Sequence, residues 1–161
     1  MQPRSPDIAV VIPALNERDN LELLLPSLKD VLSGLDLVAQ IIVVDGGSVD
    51  GTRDAAERKG AQVVRQHERG YGGALLAGFA ATSASYIVTM DADLSHRPVF
   101  LENFWQQRDE AEVLIASRYV AGGQAEMGLV RRVMSHILNR TYSRVLSLPL
   151  RDLSMNEVPG R

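Results

Sequence analysis

Asp91-Ala92-Asp93 sets two carboxylates one residue apart directly behind the apolar run Tyr86-Ile87-Val88-Thr89-Met90. Carboxylates delivered together by the end of a buried strand can converge on one hard cation, which keeps part of its water shell and takes its remaining ligands from a substrate phosphate. The same triplet also reads as two aspartates in a solvated turn. Two other clusters stand at equivalent places. Pro13-Ala14-Leu15-Asn16-Glu17 follows Ile8-Ala9-Val10-Val11-Ile12, and there Glu17 and the backbone near Leu15 offer acceptors to a base or a ribose. Its plainer reading is a strand stopped by Pro13 and a helix capped by Asn16. Asp45-Gly46-Gly47-Ser48-Val49-Asp50-Gly51-Thr52 follows Ile41-Ile42-Val43-Val44. Its glycines permit tight turns and a close approach of ligand to backbone. Asp45 stands at the strand end, where a carboxylate can accept from a base N–H or a ribose hydroxyl, while Asp50 and Thr52 read as turn and cap residues of the next helix.

Other motifs fail on spacing. An EF-hand loop counted from Asp91 has His96 at its sixth position, where glycine is needed, and a strand in front of it. Gly70-Tyr71-Gly72-Gly73 carries Leu75 where a dinucleotide fingerprint needs its third glycine. Neither Lys29 nor Lys59 follows a phosphate-binding glycine run, and His67, His96 and His136 show no metal-ligand spacing. A strand ending in Asp91-Ala92-Asp93-Leu94-Ser95 also resembles the nucleophile motif of haloacid dehalogenase-like phosphatases, which implies a phospho-aspartate at Asp91. Those enzymes need a downstream lysine, and no lysine follows Asp93, which leaves this phosphatase as the alternative reading.

The stretch Met127–Arg151 holds five arginines and no acidic residue. Within it Arg132, His136, Arg140 and Arg144 recur every four residues beside an apolar face of Val130, Val133, Met134, Ile137, Leu138 and Val145. This is either a solvated helix face or a surface for phosphates or an anionic membrane. Arg118 and Arg131 are candidate clamps for a diphosphate.

Positioning these groups requires an alternation of short and long elements. Strands are expected at Ile8–Ile12, Ile41–Val44, Gln62–Val64, Tyr86–Met90 and Val113–Ala116. Helices are expected from Glu17 to Leu32, on a stripe of Leu21, Leu24, Leu25, Leu28 and Leu32, and at Thr52–Lys59, Tyr71–Ala84, from about Pro98, and at Leu129–Leu146. Strands alternating with helices predict an α/β fold, mainly parallel, with helices on both faces. In such a sheet ligands bind beyond the carboxyl ends of the strands, so the clusters after the first, second and fourth strands share one crevice. At 161 residues with 45% hydrophobic residues the chain is expected to be one domain with a real core. A net charge of −3 argues against a nucleic-acid partner. The absence of cysteine removes thiolate metal sites and thiol nucleophiles. The first residues lack a signal-peptide core and no apolar run nears membrane-spanning length, which predicts a soluble or peripheral protein.

With these residues in view, the chain resembles the family 2 glycosyltransferases of GT-A fold, and among them the polyprenyl-phosphate (dolichol-phosphate) mannosyltransferases. Val11-Ile12-Pro13-Ala14-Leu15-Asn16-Glu17-Arg18 is similar to the opening P-x-x-N-E block. Ile42-Val43-Val44-Asp45 through Gly51-Thr52 is similar to D-D-G-S-x-D-G-T, Glu68-Arg69-Gly70 and the small-residue helix after it to the third block, and Met90-Asp91-Ala92-Asp93-Leu94-Ser95-His96-Arg97-Pro98 to M-D-A-D-L-x-H-x-P. Ser117-Arg118-Tyr119 with Gly122-Gly123 resembles a further segment. The resemblance implies that Pro13, Leu15, Glu17, Val44 and Asp45 line a nucleotide pocket. It implies that Asp91, Ala92 and Asp93 contact the sugar nucleotide, and that Asp91 and Asp93 hold Mg2+ or Mn2+. Arg118 and Arg131 would then serve phosphates of donor or acceptor, with Asp93 and Arg118 taking catalytic roles. The implied reaction is inverting transfer of a hexose, by preference mannose, from a nucleotide sugar (GDP-mannose ahead of UDP-glucose) to a polyprenyl phosphate. The implied location is cytoplasmic, peripheral at the cytoplasmic face of a membrane.

The chain departs from the pattern at three places. Gly46 replaces the second aspartate of D-D-G-S, which opens the choice of base. Ser95 stands where some relatives carry a metal-binding glutamine. After Asp152-Leu153 the chain runs Ser154-Met155-Asn156-Glu157-Val158-Pro159-Gly160-Arg161 in place of the family's S-G-F-R-like segment. The corresponding expectation is one catalytic domain over residues 1–161, with a nucleotide-sugar core at 7–128 and a shortened acceptor-side helix and tail at 129–161. A chain shortened there is alternatively an inactive nucleotide-binding fragment, or covers its apolar face as a homodimer.

Overall fold

Ile8-Ala9-Val10-Val11-Ile12 is mostly β-branched and apolar on both faces, and it becomes the first part of β1 (Ile8–Ala14), an inner strand of the sheet. The computed structural model describes residues 5–114. Two compact units divide the chain, Met1–Gln106 and Gln107–Arg161. The first carries the sheet and the helices that flank it. Of the second, the described residues include the Arg108–Asp109 ion pair (3.5 Å).

The chain order is β1, α1 (Arg18–Gly34), β2 (Ala39–Asp45), α2 (Thr52–Arg58), β3 (Gln62–Arg65), α3 (Tyr71–Ala80), β4 (Tyr86–Thr89) and α4 (Phe100–Gln107). The four strands form one parallel sheet in the order β3-β2-β1-β4, with Ile8 opposite Ala39 and Tyr86, and Ile42 opposite Gln62. The chain therefore builds outward from β1 to β3 and then returns to the other side of β1. That reversal puts a topological switch point between β1 and β4, where the loops leaving the two strands part and open a crevice.

The sheet separates two apolar layers. On one face Val10, Ile12, Ile41 and Val43 meet the leucine stripe of α1 together with Ala56 and Leu101. On the other, Ala9, Val11, Ile42 and Val44 meet Ala74 of α3. Both faces of β1 and β2 are thus covered, as continuous apolar runs predict. β4 differs: Ile87 and Thr89 are exposed and only Tyr86 and Val88 are half-buried. Among the described strands it pairs with β1 alone.

Several boundaries differ from the expected ones for physical reasons. Pro13 does not stop β1, which continues to Ala14 opposite Val44 and Asp45. The β1–β4 ladder ends at Val11 and Thr89, so β1 beyond it pairs on one side only, where a residue without an N–H is tolerated. Asn16 does not cap α1. It lies in the left-handed region (φ 57°), Glu17 is the residue before the helix, and no side chain caps it. α1 runs through Pro26, which interior proline disfavours, because its five buried leucines on either side hold both halves to the sheet. α3 ends at Ala80, short of Ala84. The expected strand at Val113–Ala116 is not formed at Val113 and Leu114, and its remainder lies outside the described residues, as does the helix expected at Leu129–Leu146.

Candidate active site

Loops leaving β1 and β4, with the segment between β3 and α3, enclose a cleft of about 600 Å³. One wall is Pro13, Ala14, Leu15 and Glu17, another is Asp91, Ala92 and Asp93, and Gly46 with the run Gln66 to Tyr71 closes the rest. Six of the residues singled out from sequence are therefore brought together: Pro13, Leu15, Glu17, Asp91, Ala92 and Asp93.

The first wall is held by stitches between two loops. The Asn16 N–H donates to Ser48 Oγ (2.9 Å), Asn16 Oδ1 accepts from the Val49 N–H (3.0 Å), and the Glu17 N–H donates to Thr52 Oγ1 (2.9 Å). The Arg18 N–H donates to Asp50 (3.1 Å), whose other oxygen accepts from the Thr52 N–H (2.9 Å). The Thr52 hydroxyl, ahead of these backbone donors, holds the Asp50 carboxyl below its ordinary range. These bonds settle the left-handed turn at Asn16, which in turn carries Leu15 outward, 58% exposed, and leaves Glu17 on the cleft, its side chain accepting from Asn20 (2.6 Å).

The opposite wall follows from β4. Just past the end of the ladder the Met90 N–H still donates to Val11 O (3.0 Å) and Met90 is buried, so the next residues emerge at the rim. Asp93 Oδ1 accepts from the Ser95 N–H (2.9 Å) across Leu94, which takes a left-handed conformation (φ 59°) to close the turn. Asp91 Oδ1 accepts from the Tyr71 hydroxyl at the start of α3 (3.1 Å). Partial burial first, and the negative charge of Asp91 second, push the Tyr71 phenol above its ordinary value, so it stays protonated as a donor.

Two predicted residues are placed elsewhere. Val44 is fully buried under α3 and does not reach the cleft wall. Asp45 is also outside the lining and only 2% exposed. Its Oδ1 accepts from the Ser48 N–H (3.0 Å) and its Oδ2 stands 4.0 Å from Arg53 Nε of α2, so it holds the turn after β2. Arg118 and Arg131 lie outside the described residues.

Gln66, His67, Arg69 and Tyr71 also line the cleft, and no motif in the sequence marks them as cleft residues. Their signal was the rule applied to the other strands, since they follow β3, whose four residues carry a weak apolar pattern. Gly73 seats this segment: a Cβ there would lie 2.3 Å from Glu68 O, so only glycine lets α3 start against the loop.

Asp91 and Asp93 are the carboxylates suited to a cation. No group of three or more His, Cys, Asp or Glu converges among the described residues. Two carboxylates leave most positions of an octahedral shell to waters and a diphosphate, so the donor set fits a substrate-bridging Mg2+ or Mn2+ and not a closed protein cage.

Comparison with known proteins places this cleft. Residues 9–154 match the family described as Glycosyl transferase family 2. A dolichol-phosphate mannosyltransferase of Pyrococcus furiosus is 35% identical over 125 residues, which cover 74% of this chain and 35% of that protein. An undecaprenyl-phosphate mannosyltransferase of Micrococcus luteus is 33% identical over 157 residues, 91% of this chain and 63% of its own. The chain thus spans less than two thirds of the length of these curated relatives. Among solved structures, glucosyl-3-phosphoglycerate synthase of Mycobacterium tuberculosis with Mg2+ and UDP superposes with a TM-score of 0.68 at 28% identity, over 92% of this chain and 54% of that one. The same enzyme with Mn2+, UDP-glucose and phosphoglyceric acid gives 0.66 at 30% identity, with the same coverage. A match running through all three walls of the cleft, on a parallel sheet of GT-A kind, means that the chain belongs to glycosyl transferase family 2.

Proposed function

We propose that the chain is the nucleotide-sugar-binding part of a metal-dependent glycosyltransferase that passes a hexose, by preference mannose, to a polyprenyl phosphate with inversion. The observation that carries this reading is the convergence of Asp91 and Asp93 with Pro13, Leu15 and Glu17 on one cleft at the switch point of the sheet. Family membership supports transfer chemistry and displaces the phosphatase alternative. The two mannosyltransferase relatives support the lipid phosphate acceptor. Solved relatives holding Mn2+ or Mg2+ with UDP support the divalent cation.

In this reading the Leu15 side chain and the backbone of Pro13 and Ala14 receive the base, and Glu17 accepts from the ribose. Asp91 and Asp93 hold the cation, which when bound neutralises the departing diphosphate. Tyr71 orients Asp91 by holding one of its oxygens, and Arg69 adds positive charge to the cleft wall. An acceptor phosphate is already anionic and needs no strong general base. Arg118 and Arg131 are proposed for its phosphate and that of the donor, and the arginine-rich stretch after Met127 for contact with the anionic membrane surface. No helix among the described residues is long and apolar enough to cross a membrane.

A second donor reading, UDP-glucose with a small anionic acceptor, draws on the glucosyl-3-phosphoglycerate synthase structures. Calorimetric titration with GDP, UDP, GDP-mannose and UDP-glucose, each with and without Mn2+, separates the two. Binding of one nucleotide family that requires Mn2+ is the expected result. Asp93→Ala should abolish the Mn2+-dependent part while the thermal transition stays cooperative, because the change removes a ligand and no core contact. Undiminished Mn2+-dependent affinity in the folded variant rules out Asp93 as a metal ligand.

A further inference from the structure

The acceptor best placed to read a base is not the aspartate at the end of β2. Asp45 is buried and its carboxylate is taken up by Ser48 and Arg53, whereas Gln66, one residue past β3, lines the cleft. The Gln66 backbone N–H donates to Asp45 O (2.9 Å), which anchors the residue to the sheet. Its side-chain Nε2 donates to two main-chain carbonyls, Glu68 O and Gly70 O (2.7 Å to the second). Only the NH2 end of an amide can satisfy two carbonyls, so these partners determine which way the amide faces. Oε1 is turned toward Gly46: a Cβ built on Gly46 would sit 3.1 Å from it, beside Ala14 O (3.5 Å) and Leu15 Cβ (3.6 Å). Among the described residues no donor meets Gln66 Oε1.

We propose that Gln66 Oε1, kept open by the bare backbone of Gly46, is the acceptor that selects the donor's nucleobase. The proposal rests on the nucleotide-binding reading above. A fixed carbonyl acceptor suits a base that presents a ring N–H, as uracil does at N3 and guanine at N1. Cytosine N3 and adenine N1 are themselves acceptors, and facing Oε1 they leave two lone pairs opposed and unpaired. The amide is held before any ligand arrives, so its rotamers cost nothing further on binding. Any side chain at position 46 enters the gap that the base edge would use.

The test is titration of the full chain, in Mn2+, with UDP, GDP, CDP, ADP and inorganic pyrophosphate as the base-free probe. The expected result is that UDP or GDP binds at least about tenfold tighter than CDP and ADP, about the worth of one hydrogen bond. Gln66→Met keeps the length of the side chain and removes the amide; it should erase that preference and leave pyrophosphate affinity as it was. Gly46→Ala leaves both Nε2 bonds intact and should reduce the same preference by crowding Oε1. Equal weakening of all four nucleotides in both variants, or a preference that survives both, overturns the role of Gln66 while nucleotide binding stands. A folded wild-type chain that binds pyrophosphate but no nucleotide, or neither, overturns this proposal together with the reading on which it rests.

Discussion

Asn16 shows how much of the cleft depends on one side chain used away from its own helix. Asparagine before an apolar helical stripe ordinarily caps the helix, yet here Oδ1 accepts from the Val49 N–H and the backbone sits at φ 57°. The residue does two jobs, tolerating the left-handed turn and tying the loop after β1 to the loop after β2. Asn16→Ala loses both, at about 1–2 kcal/mol from backbone strain and the lost hydrogen bond together. Asn16→Gly keeps the turn and loses only the bond, so urea denaturation should rank wild type above Gly and Gly above Ala. An alanine variant as stable as the glycine variant would remove the strain argument. The same scale explains why Asp45 was legible as a site residue and yet is not in the cleft wall. Its place after four apolar residues was visible in the sequence, but side chains alternate along a strand. Asp45 therefore shares a face with Val43, toward α2 and its Arg53, while the cleft is walled by the start of α3. Gln66 had no such marker, because a neutral amide acquires its meaning only from the two carbonyls that hold it.

Among the elements, α3 is the one whose sequence looks least like a helix and whose packing depends most on that. Its Gly72-Gly73-Ala74 stretch and the Gly78 turn carry little side-chain volume, so it lies close against β1 and β2. A Cβ on Gly78 would be 2.3 Å from Val11 Cγ1 and 3.2 Å from Val44 Cγ2. Both valines are β-branched on central strands and have no alternative rotamer space to retreat into. Gly78→Ala gains about 1 kcal/mol of helix propensity. Overpacking costs about 1–3 kcal/mol or more at a contact this short, and it wins. The variant should unfold at lower denaturant concentration with an unchanged slope; a rise in the midpoint would mean that α3 does not rest on Val11. Element by element, the parallel α/β order, all four described strands and the leucine face of α1 were legible, because periodicity reports burial directly. The ends were less so. β1 outlasts Pro13 because its second neighbour has already stopped, and α1 outlasts Pro26 because leucines on both sides are buried, and neither condition is visible in a local window of sequence.

For the whole molecule, two carboxylates couple these parts and make stability depend on acid. Glu22 of α1 accepts from Lys59 (2.9 Å) and Arg58 (3.0 Å) at the end of α2, and the Lys59 bond first, then Arg58, lowers its pKa from the ordinary 4.5. Asp50, joining the loops after β1 and β2, is lowered from 3.8, chiefly by the Thr52 hydroxyl. A carboxylate with a depressed folded pKa binds its proton more weakly in the native state than in the unfolded one, so protons favour unfolding. The stabilisation from both groups is complete above their ordinary values and is lost as pH falls through the lowered ones. The melting temperature should therefore hold from neutral pH down to about 5 and decline below it. Glu22→Gln and Asp50→Asn should each flatten that decline and lie nearest to wild type at the acid end. High salt should separate them, since the Glu22 pairs are exposed and screened, whereas the Asp50 bonds are to neutral donors of the chain itself. Scanning calorimetry of the three proteins from pH 3 to 7, at low and high salt, checks each part. Parallel curves for all three would mean that neither carboxylate stabilises the fold through these bonds.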